Sequence, residues 1–365
     1  MKNKGLSRRS FLTQAAVSGA AFSLSPVSGL AGILAEAPLN NRPKVYKERL
    51  KVVCTEELSE SEAEKIKSSA PNVDLILEGK LKEKSLFEDA DGVLGWINAD
   101  VLPVAKQLKW VQTWAAGVEN MPREFLNYPF TLTNMQRVYA PVIAETAIAL
   151  LLSLTRGLAQ VSIPNFREKK WGGNFNEVLL DNLYGKTIGI VGMGGIGSET
   201  ARRLHYGFGM KVLATDAKPL AKPDFVEELR EPAWLQEMAA KVDVLMSAAP
   251  LTSETRGIFN QQIFSKLKPT AYFINVSRGG LVNQDDLVRA LKTKQISGAG
   301  LDVTTPEPLP PSDALWNCPN LVITPHNSGN APVRRTRLID LVTENVRRFS
   351  SGLPLMNVVD KAKGY

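Results

Sequence analysis

From residue 50 onward, short apolar runs of strand length alternate with stretches whose apolar positions recur at helical spacing. Lys51-Val52-Val53-Cys54 reads as a strand, and Ser59-x-x-Glu62 has the form of a capping box opening a helix that buries Ala63 and Ile66. Strands are predicted at Asp74–Leu77, Gly92–Leu94, Lys109–Gln112 and Phe130–Leu132, which together make a small parallel α/β unit. A long apolar helix is expected from Val142 to Leu158, with Glu145 its only acid, and then a less regular stretch through Trp171. The alternation restarts with stronger strands at Thr187–Val191, Lys211–Thr215, Val242–Met246, Ala271–Val276, Ala299–Val303 and Leu321–Thr324. Their nearly continuous hydrophobicity suits parallel strands covered on both faces. A last helix, Val333 to Phe349, puts Leu338, Leu341, Val342, Val346 and Phe349 on one side. The pattern predicts two α/β blocks, and 365 residues suit about two domains.

Composition narrows the chemistry. With 44% hydrophobic and 22% charged residues the chain is neither disordered nor collagenous. Its two cysteines, Cys54 and Cys318, and two histidines, His205 and His326, exclude a disulfide scaffold, a zinc finger and a His-rich metal centre. No metal is expected, and a histidine acid or base has two candidates. The net charge of +7 hints at nucleic acid until it is located.

Much of that charge sits at the start. Residues 1–37 run from a basic end (Lys2, Lys4, Arg8, Arg9) through an uncharged stretch, Phe11 to Ala35, to Ala35-Glu36-Ala37. This is the layout of a secretory signal with an Ala-x-Ala cleavage site. Ser7-Arg8-Arg9-Ser10-Phe11-Leu12 resembles the twin-arginine export signal, which implies recognition by the twin-arginine translocation machinery and delivery to the periplasm. The other reading is an uncleaved membrane tether, since the stretch approaches the ~20 residues of a spanning helix. Gly19, Gly29, Gly32 and Pro26 make it only mildly apolar, no other segment is long enough to span, and stable membrane insertion is not expected. Without residues 1–37 the chain has 40 basic against 36 acidic residues, and a net charge of +4 does not argue for nucleic acid.

Strand Thr187–Val191 runs into Gly192-Met193-Gly194-Gly195-Ile196-Gly197, which opens a helix, and Asp216 ends the next strand. Gly-x-Gly-x-x-Gly in that context is a dinucleotide fingerprint. Gly192 and Gly194 permit a tight turn and close approach of a pyrophosphate, Gly197 permits helix-on-strand packing, and the helix start supplies free N–H groups. Asp216 is the residue type that binds a ribose 2′-hydroxyl and repels a 2′-phosphate, favouring NAD over NADP, with Lys218 placed to soften that preference. FAD sites share the fingerprint, usually in a chain's first strand; here it begins in mid-chain.

In open parallel sheets the ligand lies beyond the carboxyl ends of the strands. Those ends here carry Gly192, Asp216, Ser247-Ala248-Ala249-Pro250, Val276-Ser277-Arg278, Asp302 and Thr324-Pro325-His326. One arginine and one histidine converging there suit a 2-oxo or 2-hydroxy acid. Arg278 offers a fork of donors matched to a carboxylate and an adjacent carbonyl oxygen. His326 can exchange a proton with that oxygen, and Glu307, within Thr305-Pro306-Glu307-Pro308, can pair with the imidazole. His205, at the far end of the helix from the phosphates, reads as structural or solvent-exposed.

These residues make the chain resemble the D-isomer-specific 2-hydroxyacid dehydrogenases. The matching stretches are Trp114-Ala115-Ala116-Gly117-Val118-Glu119-Asn120, Ala144-Glu145-Thr146 through Leu152, Gly185 through Gly197, Pro250-Leu251-Thr252-Ser253-Glu254-Thr255-Arg256-Gly257, Ile274 through Val282, and Leu301-Asp302-Val303 through Glu307-Pro308-Leu309 to His326. The resemblance implies hydride transfer between NAD(H) and C2 of a D-2-hydroxy or 2-oxo acid, with Arg278, Glu307 and His326 as catalytic trio and Asp302 bonding the nicotinamide carboxamide. It also implies Gly195-Ile196 at the pyrophosphate, Ala249, Pro250, Val276 and Ser277 beside the cofactor, and backbone amides of Ala116, Gly117 and Val118 on the substrate carboxylate. The implied fold is a Rossmann-type doubly wound sheet (144–328) inserted into a smaller flavodoxin-like substrate domain (46–143 with 329–365), and a homodimer formed through the cofactor domains.

Three departures bear on substrate choice: Ala144-Glu145-Thr146 where many members have Ala-Glu-His, no cation in Leu94-Gly95-Trp96-Ile97-Asn98, and Asn327 after the histidine. Trp96 and Trp114 are placed either in the cleft, where they suit an apolar or aromatic substituent, or in the core. The rival readings are an NADH-binding dimeric sensor without turnover and a phosphite-type dehydrogenase; Glu307 disfavours a formate enzyme. Export further suggests that the cofactor is bound during cytoplasmic folding and carried out with the protein.

Overall fold

A computed structural model describes residues 49–79, 83–118, 121–173 and 180–365. The export segment therefore lies outside the described residues, as do Glu119 and Asn120. Among the described residues the strands form two parallel sheets. The first contains β1 (Leu50–Cys54), β2 (Val73–Leu77), β3 (Gly92–Leu94), β4 (Trp110–Gln112) and β5 (Thr131–Thr133), in the order β2-β1-β3-β4-β5. The second contains β6 (Thr187–Val191), β7 (Lys211–Thr215), β8 (Glu228–Arg230), β9 (Val244–Ser247), β10 (Tyr272–Asn275), β11 (Gly298–Leu301) and β12 (Leu321–Ile323), in the order β12-β11-β10-β9-β6-β7-β8. The helices that position the site are α1 (Glu60–Ser69), α2 (Ala140–Thr155), α3 (Gly195–Phe208) and α4 (Val333–Ser350).

Alternation along the strands divides each sheet between two cores. Leu50, Val52 and Cys54 of β1 join Trp110 on the face covered by α1 and α4, while Val53, Val93, Val111 and Leu132 pack on the other face. Leu338, Leu341, Val342, Val346 and Phe349 of α4 are buried in that first core, each side chain contributing about 1.5–3 kcal/mol over an exposed position. The chain thus leaves the first sheet after β5, places α2 in the second core with Ile188 and Ile190, completes the second sheet, and returns in α4 to cover the first. Both sheets carry helices on two faces, the doubly wound arrangement the patterning predicts.

Boundaries shift where turn chemistry decides them. The capping box forms as read: Glu62 N–H donates to Ser59 Oγ at 3.3 Å and Ser59 N–H to Glu62 Oε2 at 2.8 Å. Helix α2 spans Ala140–Thr155 rather than Val142 to Leu158. Pro141 is accommodated in its first turn, where no N–H is needed, and Gly157, left-handed at φ 61°, ends it. Strand β8 has no counterpart in the sequence reading, because Glu-Leu-Arg on a sheet edge carries one apolar residue and no period. Cys54 and Cys318 are both unpaired, and burial pushes the Cys54 thiol up to about 11. Among the described residues no single helix is long and apolar enough to cross a membrane.

Candidate active site

In the second sheet the strand order reverses between β6 and β9, and the glycine loop leaves β6 at that point. Gly192 has φ 98°, and a Cβ there would stand 2.7 Å from Ala248 O. A Cβ on Gly197 would stand 2.0 Å from Gly192 O. The protein's own packing demands both glycines. Gly194 is different: a Cβ there would meet nothing within 4 Å, so the space over it opens outward. No side chain caps α3, leaving its first N–H groups to point into that space. Such a cradle fits the pyrophosphate of a dinucleotide.

Asp216 closes one side of the loop. Its Oδ2 accepts from Met193 N–H at 2.7 Å and its Oδ1 from Lys218 N–H at 2.8 Å, so the carboxylate shapes the glycine turn. The Lys218 ammonium lies over the Tyr365 ring at 4.5 Å, and Arg230 is engaged by Glu228 and stacked on Trp234. Those two cations are thus held by groups other than Asp216.

The next strand ends build the reacting side. Ser247 and Ser277 share a hydroxyl hydrogen bond of 2.7 Å, and Ser277 Oγ donates to Asn275 Oδ1 at 2.9 Å. Asn275 Nδ2 donates in turn to Arg278 O at 2.9 Å, holding the backbone from which the arginine projects. A Cβ on Gly279 would stand 1.9 Å from Thr304 O, so this loop and the one after β11 are in direct backbone contact. Buried Asp302 ties the loop after β11 to the loop after β12: Oδ1 accepts from Thr324 Oγ1 at 2.6 Å and Asn327 N–H at 3.1 Å, and Oδ2 from Ser328 N–H at 3.2 Å. The histidine is carried on that second loop at φ 49°, with its N–H donating to Asp302 O at 2.8 Å.

His326 Nδ1 lies 2.7 Å from Glu307 Oε2, and Glu307 Oε1 accepts from Thr304 N–H at 2.9 Å. Glu307 is therefore fixed by one oxygen and orients the imidazole with the other, leaving Nε2 for the cavity that the histidine lines. That cavity, about 440 Å³, lies between the two sheets. Trp96, Ala115, Gly117, Val118 and Met121 line it from the first; Leu251, Arg278 to Gly280, Thr304 to Glu307 and His326 line it from the second.

Of the residues singled out in the sequence, Gly117, Val118, Arg278, Glu307 and His326 line this cavity, while Gly192 to Gly197, Asp216 and Asp302 lie at strand ends of the second sheet outside its lining. Ala116 is absent from the lining, its carbonyl accepting from Asn134 Nδ2 at 2.7 Å. Ala249, Val276 and Ser277 are buried beneath the strand ends, and the Pro250 carbonyl accepts from Thr255 Oγ1 at 2.7 Å. Trp96 faces the cavity. Trp114 does not: half-buried, it packs beneath the Arg335 guanidinium, 5.3 Å from its ring. Half-buried His205 sits at the end of α3, with Nδ1 3.1 Å from Met210 O. Sequence reasoning gives no site role to Met121 or Thr304, and Leu251 and Thr305 stand in it only as members of longer stretches. It also passed over Arg137, an exposed cation at φ 68° whose Cγ would stand 2.8 Å from a Cβ on Gly195. A charged residue in the connection between the two blocks was the available signal.

Comparison with known proteins agrees with this geometry. Residues 148–328 match the sequence model of the NAD binding domain of D-isomer specific 2-hydroxyacid dehydrogenases. A glyoxylate reductase of Korarchaeum cryptofilum is 35% identical over 269 residues, 73% of this chain and 80% of that protein. A crystal structure of a D-isomer specific 2-hydroxyacid dehydrogenase family protein from Aeromonas salmonicida superposes with a TM-score of 0.71 at 29% identity, covering 86% of this chain and all of the other. An NADPH-dependent glyoxylate/hydroxypyruvate reductase from Sinorhizobium meliloti gives a TM-score of 0.68 at 27% identity, covering 86% of this chain and 98% of that one. Two doubly wound parallel sheets, a dinucleotide loop at the switch point of the second, and relatives matched over most of their length lead to one conclusion: the chain belongs to the D-isomer-specific 2-hydroxyacid dehydrogenase family.

Proposed function

We propose that the protein reduces a 2-oxo acid to the D-2-hydroxy acid with NADH, with Arg278, Glu307 and His326 carrying the chemistry. The observation behind this is the 2.7 Å contact of His326 with Glu307 on the wall of a cavity that Arg278 also lines. Bound NADH supplies the hydride for C2. Arg278 holds the substrate carboxylate and carbonyl oxygen in one plane by its fork of donors, and the backbone around Gly117 and Val118 bounds the carboxylate from the first sheet. His326 Nε2 gives a proton to the carbonyl oxygen as charge develops there, and Glu307 keeps the imidazole aimed. Asp302 is a positioning residue, since its hydrogen bonds hold the loop that carries the histidine.

The rival reading, a sensor that binds NADH without turnover, gives no role to the Glu307–His326 pair. Replacing His326 by alanine is expected to lower kcat by about 10²–10⁴-fold while NADH affinity, read by fluorescence titration, stays within a fewfold. Full activity in that variant, or lost NADH binding with it, counts against the assignment. NAD is preferred to NADP, in contrast to the Sinorhizobium relative, because Asp216 is a carboxylate held at the ribose position.

Two further features belong to this proposal. The twin-arginine segment directs the folded enzyme to the periplasm with nucleotide already bound, as folding before export allows. Phe166 is 82% exposed and Trp171 fully exposed, an apolar surface that suits a second copy of the chain. Protein recovered from the periplasm is expected to sediment as a dimer and to release NAD(H) on denaturation. Cytoplasmic retention, a monomer, or nucleotide-free protein each removes the corresponding part.

A further inference from the structure

The cavity wall says more about the substrate than that it is a 2-oxo acid. We infer that the group on C2 is a bulky apolar one, branched aliphatic or aromatic, rather than the hydrogen of glyoxylate or a second carboxylate; this rests on the reduction proposed above.

Across the cleft from Arg278 and His326 the lining is Trp96, Val118 and Met121, joined by Leu251 from the second sheet. Trp96 is fixed rather than adventitious. Thr55 Oγ1 donates to Trp96 O at 2.8 Å and Trp96 N–H lies 3.0 Å from the same hydroxyl. Its ring stacks on buried Phe125, with centroids 6.1 Å apart and planes 18° from parallel. Even so, the residue remains 38% exposed and lines the cavity. A large rigid apolar surface held at the edge of an active site recovers its exposure when an apolar ligand covers it.

The charges point the same way. Among the described lining residues the charged or titratable groups are Arg278, Glu307 and His326. With the arginine engaged by C1 and the carbonyl in the proposed reaction, a distal carboxylate or phosphate meets Glu307 and no further cation among the described lining residues. Arg256 reaches the position a Gly280 Cβ would take, but it does not line the cavity. The Thr304 hydroxyl donates to Pro306 O at 3.1 Å, so it is spent within its own loop.

The test is kcat/KM of the purified full chain with NADH for glyoxylate, 4-methyl-2-oxopentanoate, phenylpyruvate and 2-oxoglutarate. Each apolar methylene buried is worth roughly tenfold or more, so phenylpyruvate or 4-methyl-2-oxopentanoate should exceed glyoxylate by at least about 100-fold, with 2-oxoglutarate lowest. In Trp96→Ala the advantage of phenylpyruvate over glyoxylate should shrink by about tenfold or more. Glyoxylate or 2-oxoglutarate as best substrate overturns the inference while leaving the reduction intact. If no 2-oxo acid is turned over, the reduction fails and thermal shift decides the pocket. A larger rise in Tm with phenyllactate than with glycolate, lost in Trp96→Ala, supports it, and equal or absent shifts overturn it.

Discussion

At Gly197 one methyl group would sit 2.0 Å from a backbone oxygen, whereas at Gly194 it would meet nothing within 4 Å. The fingerprint thus holds glycines kept for the protein's own packing beside one whose side is left open, with room for a pyrophosphate. Asp216 caps the Met193 and Lys218 amides, and in the proposed function its carboxylate also meets the ribose. Replacing it by serine keeps an acceptor but removes the charge that repels a 2′-phosphate. The NADH-over-NADPH ratio of kcat/KM is therefore expected to fall by about tenfold or more, given that like-charge juxtaposition costs several kcal/mol. An unchanged ratio would place cofactor discrimination elsewhere. Gly192, Gly194, Gly197, Asp216, Arg278 and His326 could be singled out because each stands at a strand end or in a spaced motif, and Glu307, in a proline-rich loop, only as a candidate partner of the imidazole, which it is at 2.7 Å. Gly279 could not: its requirement comes from Thr304 O, a backbone atom on another loop, and no local pattern records such a contact.

Between elements, the ties run across long sequence separations. Ser59 and Glu62 were readable as a capping box, but Glu62 also receives the Arg335 guanidinium from α4, at 2.6 Å to Oε1 and 2.8 Å to Oε2. That arginine holds the Glu62 carboxyl at about 2, below its ordinary 4.5. A carboxyl depressed in the folded state adds stability that is fully present above about 4.5 and is lost as the pH falls toward 2. Glu62→Gln keeps the box but not the charge, so it should cost about 0.5–1 kcal/mol at neutral pH, allowing for solvent screening of a partly exposed pair. The gap from wild type should close between pH 4.5 and 2 in denaturant titrations. An equal gap at both ends of that range would refute the pairing. A second tie is a buried network: Asn345 Nδ2 donates to Gln112 Oε1 at 2.8 Å, and Gln112 Oε1 also accepts from Thr133 Oγ1 at 2.8 Å, fastening α4 to β4 and β5. Strand and helix types follow from period, so most elements could be read. These cross-links, like edge strand β8, could not, because they depend on which elements meet.

At the scale of the molecule the chain builds one sheet, leaves to build another, and returns to cover the first with α4. Both sheets then present strand ends to one cavity, which the second furnishes with Arg278, Glu307 and His326 and the first with Trp96, Val118 and Met121. The two α/β blocks were legible in the hydrophobic pattern, but the cleft was not, because no period encodes how two sheets face each other. In the proposed mechanism a carbonyl carbon comes between a nicotinamide and the His326 imidazole, and isotope transfer tests that claim most directly. NADH deuterated at C4 on the transferred face should give, with phenylpyruvate or 4-methyl-2-oxopentanoate, a 2-hydroxy acid of D configuration carrying deuterium at C2 by mass spectrometry, and none from His326→Ala in the same time. An L product, an unlabelled product, or undiminished labelling by the variant would contradict the account.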